Sequence, residues 1–100
     1  MRILILEDEE QALLRLQQMI FKVIPDAVIS GTPSSIEEAI AWFQNNPMPE
    51  LIFMDIQLAD GTSFQVFNRI KITCPVIFTT AYENYALQAF KVNSVDYLLK

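Results

Sequence analysis

Three short apolar runs in this chain each stop against a charged or hydroxyl residue. Ile3-Leu4-Ile5-Leu6 runs into Glu7, Leu51-Ile52-Phe53-Met54 into Asp55, and Val76-Ile77-Phe78 into Thr79. An unbroken apolar run of this length, bounded by turn signals, reads as a strand buried on both faces. Two weaker runs, Ala27-Val28-Ile29 and Val95-Asp96-Tyr97-Leu98-Leu99, read as further strands, the first of them at an edge. A charge is costly inside a buried strand, so Asp55 belongs at the very end of its run, where the sheet meets water.

Helical stripes separate the runs. Leu13, Leu16, Ile20 and Val23 recur at helical spacing, widened by Ala12 and Met19. Asp8 with Gln11 matches a capping box at the start of this helix, and Pro25-Asp26 ends it. Ser34 or Ser35 caps a second helix with Ile36, Ala39, Ile40 and Phe43 inward and Trp42 packing at the margin; Asn45-Asn46-Pro47-Met48-Pro49 breaks it. After the turn pair Asp60-Gly61, Thr62 or Ser63 caps a third, striped by Phe64, Phe67 and Ile70 with Val66 in support. A fourth runs from Asn84 to about Val92, with Ala86, Ala89 and Phe90 inward and Asn93 closing it. Strict alternation of strand and helix predicts a parallel sheet with helices on both faces. Such a sheet calls for a fifth helix, which this chain does not contain. Some apolar sheet area is therefore expected to lie open, as in a truncated chain or one that swaps an element with a partner.

Composition excludes several classes. One hundred residues form one domain, and 52% hydrophobic content argues for a packed core. A net charge of −5 leaves no basic footprint for nucleic acid. With no His and one Cys, the chain lacks the usual ligands of zinc and iron–sulfur sites, and an internal disulfide is excluded. Cys74 reads as a small buried hydrophobe in a reducing, cytoplasmic setting. No apolar run approaches the roughly 20 residues of a membrane span, and no signal peptide precedes the first strand.

Parallel strands bring their C-terminal ends to one edge, where open α/β sheets place their sites. The first strand brings Glu7 and Asp8, the third Asp55, the fourth Thr79 or Thr80, and the fifth Lys100. Each has a plain structural reading. Glu7 and Asp8 can simply start a helix, a threonine can cap backbone, Lys100 can snorkel, and Tyr97 can pack on the sheet. Together they are more specific. Close carboxylates repel and are best relieved by a hard divalent cation with oxygen ligands, which bridges to a phosphoryl group. A hydroxyl and an ammonium suit the remaining phosphoryl oxygens, and a carboxylate is an able nucleophile toward phosphorus.

In these residues the chain resembles the receiver domain of two-component response regulators. The resemblance rests on Ile3-Leu4-Ile5-Leu6-Glu7-Asp8-Glu9, on Leu51-Ile52-Phe53-Met54-Asp55-Ile56-Gln57-Leu58, on Asp60-Gly61, on Phe78-Thr79-Thr80-Ala81 and on Asp96-Tyr97-Leu98-Leu99-Lys100, and it spans residues 1–100. The stretch from Thr80 to Phe90, with the Asp96-to-Lys100 run, is most similar to regulators whose output is a LytTR-type DNA-binding domain, the LytR/AlgR kind. The resemblance implies a flavodoxin-like α/β fold with sheet order 2-1-3-4-5, lacking its final helix. It implies Asp55 as phosphoacceptor, and Mg2+ (or Mn2+) held by Glu7, Asp8, Asp55 and the Gln57 backbone carbonyl. Thr80 becomes the switch hydroxyl, Lys100 the partner of a phosphoryl oxygen, and Tyr97 the aromatic that changes rotamer. Gln57 and Tyr82 occupy positions that tune dephosphorylation. Ala59 stands where many members carry Pro, and Asn93 where Gly is common.

The implied activity is a phosphorylation switch in the cytoplasm, with a sensor histidine kinase as donor. It is a regulator that catalyses only transfer to its own Asp55 and its own dephosphorylation, and not an enzyme acting on other substrates. Activation would drive homodimerisation, or the chain would swap through the missing helix; DNA would be reached only through an output domain outside this chain. A haloacid-dehalogenase-like phosphatase fits less well, because Gln57 stands where a second Asp is needed. A flavodoxin-like flavin binder fits less well, because Glu7-Asp8-Glu9-Glu10 repels phosphate. The remaining alternative is a receiver-like interaction module that works without phosphorylation.

Overall fold

In the computed structural model, residues 1–80 and 96–99 are described, Thr80 and residues 96–99 by their backbone alone. The centre of the sheet is made by the strands that hold the four-residue apolar runs 3–6 and 51–54. These are β1 (Arg2–Leu6) and β3 (Leu51–Asp55), paired in parallel with Ile3 beside Leu51 and Leu6 beside Met54. Ile3, Leu4, Ile5, Leu6, Ile52 and Met54 are fully buried. Outside β1 lies the edge strand β2 (Val28–Gly31); outside β3 lie β6 (Val76–Thr80) and then β7 (Asp96–Leu99). Every pairing in this five-stranded sheet is parallel. Its order, β2-β1-β3-β6-β7, is the expected 2-1-3-4-5 when its strands are counted along the chain.

Alternation of side chains along each strand divides the core in two. Leu4, Leu6, Ile52, Met54 and Phe78 face α2 (Ile36–Asn45) and α3 (Phe64–Arg69). Ile3, Ile5, Leu51 and Phe53 face α1 (Glu10–Val23). Helices therefore cover both faces, as the alternation of elements predicts. On the α2 side the Phe78 ring is contacted by Phe64 at 5.3 Å and Phe67 at 6.0 Å between centroids. Trp42 meets Phe43 edge-on at 5.4 Å and lies against β2, where a Cβ on Gly31 would come within 2.5 Å of the indole nitrogen.

Local details depart from the sequence reading. Glu9, not Asp8, occupies the N-cap of α1, and no side chain caps it, so the capping box does not form. Within α1, Ala12 and Ile20 are buried while Leu13 and Leu16 are partly so; Met19 (58% exposed) and Val23 (80%) are not inward. The inward line continues instead to Ile24, just past the helix. Met19 and Val23 border an apolar groove that Leu16, Ile20, Ile24 and Phe53 also line. Ser35 caps α2 as expected, its hydroxyl accepting from the Glu38 N–H at 3.1 Å. Ser63 occupies the N-cap of α3 but makes no capping bond, because its backbone is already helical and its side chain is buried. The helix expected from Asn84 to Val92, and Asn93, lie outside the described residues.

Candidate functional site

The exits of β1 and β3 build the site. Leu6 and Met54 are register partners, so the next residues, Glu7 and Asp55, leave the sheet side by side. Glu7 is 3% exposed and Asp55 6%, while Asp8 is exposed. The Glu7 N–H donates to the Pro33 carbonyl at 3.3 Å, and its carboxylate accepts from the Glu9 N–H at 3.3 Å. The first of these bonds pins the β1 exit against the segment leading into α2, and the second ties the Glu7 carboxylate to the start of α1. One carboxylate oxygen from each of Glu7, Asp8 and Asp55 falls within 4.8 Å of the others. At that spacing two charges repel by about 3–4 kcal/mol at an effective dielectric near 20, less for exposed Asp8. An all-oxygen trio under such repulsion fits a hard cation of the Mg2+ type. The sequence brought these three residues together, and the structure does the same.

The segment after Asp55 folds back on itself. Ser63 N–H donates to the Ile56 carbonyl at 2.8 Å, and β4 (Gln57–Leu58) pairs antiparallel with β5 (Gly61–Thr62). Gly61 has φ of +137°, a conformation other residues rarely adopt, which is why the turn needs Gly. Gln57 sits in β4 with its residue exposed.

Asp60, at the tip of this hairpin, was expected only as a turn residue. Its two carboxylate oxygens accept from the Ile36 N–H at 2.9 Å and the Glu37 N–H at 3.2 Å, the first amides of α2. The Ile36 amide, chiefly, holds the Asp60 carboxyl below the usual carboxylate range. Nothing in the sequence ties Asp60 to residues 24 places earlier, although an Asp-Gly turn and a Ser-capped helix each offer one half of the contact.

Thr79, not Thr80, is the register partner of Asp55, and its side chain is buried. Thr80 stands one residue further toward the edge, paired with Leu99. Tyr97 lies in β7 opposite Phe78. Tyr82 and Lys100 lie outside the described residues.

Comparison with known proteins decides the family. The model of the response regulator receiver domain matches residues 3–100. The chain belongs to that family. As a receiver domain it is a component of two-component signalling. It is 34% identical over 103 residues to the sensory transduction protein LytT of Bacillus anthracis, covering all of this chain and 41% of LytT. It is 37% identical over 106 residues to LytR of Streptococcus agalactiae, covering 42% of that protein. It is 32% identical over 103 residues to the positive alginate biosynthesis regulatory protein of Pseudomonas aeruginosa, covering 41% of it. The receiver domain thus spans about two fifths of the length of these curated relatives, which are of the LytR/AlgR kind that the sequence resembles. Its fold matches the response regulatory domain of mrkE from Klebsiella pneumoniae, with a TM-score of 0.84 and 28% identity, covering 100% of this chain and 83% of that one. Among the described residues no helix is long and apolar enough to cross a membrane.

Proposed function

We propose that this receiver domain is a switch thrown by phosphorylation of Asp55. The convergence of Glu7, Asp8 and Asp55 at the C-terminal edge of the sheet carries the reading. An Asp55 carboxylate oxygen attacks phosphorus of a histidine kinase's phosphohistidine; the P–N bond breaks and its electron pair returns to the imidazole nitrogen. Glu7, Asp8, Asp55 and the Gln57 carbonyl would hold Mg2+, which would offset charge on the transferring oxygens. A protein of the same fold, the Thermotoga maritima regulator TrrA, has been solved in complex with Mg(2+)-BeF.

Thr80 and Lys100 then engage phosphoryl oxygens, and movement of Thr80 admits Tyr97, re-shaping the surface near β7. That change drives dimerisation or releases an output domain in the longer protein. The relatives' names, sensory transduction protein and positive alginate biosynthesis regulatory protein, support a regulatory output. The domain acts on its own Asp55 and on no other substrate, and water hydrolyses the acyl phosphate, restoring the Asp55 carboxylate, releasing inorganic phosphate and turning the switch off. We read residues 1–100 as a receiver domain.

The test is incubation with acetyl phosphate and Mg2+, in a chain extended past Lys100. One hydroxylamine-labile phosphate is expected, absent in Asp55→Asn and without Mg2+. A protein that takes no label is a receiver-like interaction module instead.

A further inference from the structure

We propose that Asp60 is a positioning residue for the Asp55 site, tying the hairpin that carries Gln57 to the first turn of α2 and thereby setting the site's affinity for its cation. This rests on the phosphoacceptor reading above, with Gln57 supplying a backbone carbonyl.

Three contacts converge on one spot. Asp60 accepts from both Ile36 and Glu37 amides, at 2.9 and 3.2 Å. These amides have no partner within their own helix, so a carboxylate from elsewhere satisfies donors that a helix start always leaves open. The neighbouring Gly61 lies against the same residue: a Cβ there would come within 3.2 Å of the Ile36 Cδ1 and 2.7 Å of the Gln65 side-chain nitrogen. Two hydrogen bonds and the close approach of the Gly61 backbone thus seat the hairpin tip on the start of α2.

The hairpin transmits that restraint. Gln57 pairs with Thr62 and Leu58 with Gly61, and the Ile56–Ser63 bond closes the base. Asp60 is therefore joined to Gln57 through a closed unit, and Gln57 is two residues from Asp55. A Gln57 carbonyl held in place in advance costs a cation less to bind than one that must be ordered. By reciprocity, a bound cation strengthens the Asp60–α2 bonds by the same factor that they strengthen its binding.

The experiment is Mg2+ titration calorimetry on the chain extended past Lys100, with amide hydrogen exchange at Ile36 and Glu37. Asp60→Ala should weaken Mg2+ binding about tenfold, and Asp60→Asn, which keeps one acceptor, should fall between. Exchange at Ile36 and Glu37 should slow on adding Mg2+ to the wild type and not respond in Asp60→Ala. Ser35→Ala removes the other cap of the same helix, on the Glu38 amide, without touching the hairpin, and should leave Mg2+ affinity unchanged. Equal affinity in Asp60→Ala and wild type overturns the proposal, as does an equal loss in Ser35→Ala, which would make any helix weakening sufficient. A wild type that binds Mg2+ yet takes no phosphate sinks the Asp55 reading while the titration still decides Asp60. A wild type that binds no Mg2+ overturns both.

Discussion

Asp55 and Thr79 face each other across β3 and β6 as register partners, both nearly inaccessible to solvent. The parallel ladder therefore carries Thr80 one residue, about 3.3 Å, beyond the level of Asp55. This separates two adjacent threonines that sequence alone leaves equivalent. Thr79→Ala should cost about 1–2 kcal/mol of stability by deleting a buried hydroxyl and its methyl. Thr80→Ala should leave stability near wild type and still permit phosphorylation, but lose the conformational response to it. Denaturant melts and beryllofluoride-induced spectral changes on both variants would separate the roles; a response lost in Thr79→Ala alone would reassign the switch.

The trio of carboxylates makes a prediction with two signs. Without divalent cation, Asp8→Asn should raise stability by up to about 1 kcal/mol, because it removes repulsion between groups within 4.8 Å. With Mg2+ the wild type should gain about 2.7 kcal/mol at a hundred times the Kd, and Asp8→Asn much less. Thermal unfolding with and without Mg2+ reads both. An Mg2+ shift of the same size in Asp8→Asn at the same concentrations would mean that Asp8 is no ligand.

Ser63 is fully buried, and its hydroxyl has no hydrogen-bond partner among the described residues. A buried hydroxyl left unpaired costs about 1–3 kcal/mol. Ser63→Ala should therefore be neutral or stabilising, by about 1 kcal/mol, where most core truncations destabilise. Urea denaturation of the variant checks this, and a clear loss of stability would show that the hydroxyl is bonded in solution.

Acid should loosen the α2 start. Amide hydrogen bonds hold the Asp60 carboxyl below its usual range, and bonds from Ser34 do the same for Glu38. A depressed folded-state pKa stabilises above the unfolded value, near 3.9 for Asp, and that stabilisation fades as pH falls through the folded value. Wild type should thus exceed Asp60→Asn in melting temperature at neutral pH, with the gap closing as pH drops below about 4. A gap independent of pH would mean that the Asp60 charge contributes nothing.

The five strands of the parallel sheet, the three helices among the described residues and the acidic pair beside Asp55 were legible in the chain because each is written locally, whereas the β4–β5 hairpin was not. An apolar run that stops at a carboxylate can only leave a buried sheet at its edge, and parallel strands bring such ends together. The α1 stripe was less legible. Met19 and Val23 satisfy helical spacing, but periodicity gives the direction of a face and not its width, and both sit outside what the sheet covers. The capping box at Asp8 failed for a related reason: Asp8 stands with Glu7 and Asp55, and the cap position passes to Glu9.

By itself the sequence determined which residues could be strands, which could be helices and which acids would meet, since burial and hydrogen bonding act on neighbours along the chain. Only the tertiary structure decided how the loops lock onto that frame. The grip of Asp60 on Ile36 and Glu37, the choice between Thr79 and Thr80 opposite Asp55, and a Ser63 hydroxyl unpaired among the described residues depend on how segments far apart in sequence come to rest against one another. Register and loop closure set those distances, and no local pattern of residues encodes them.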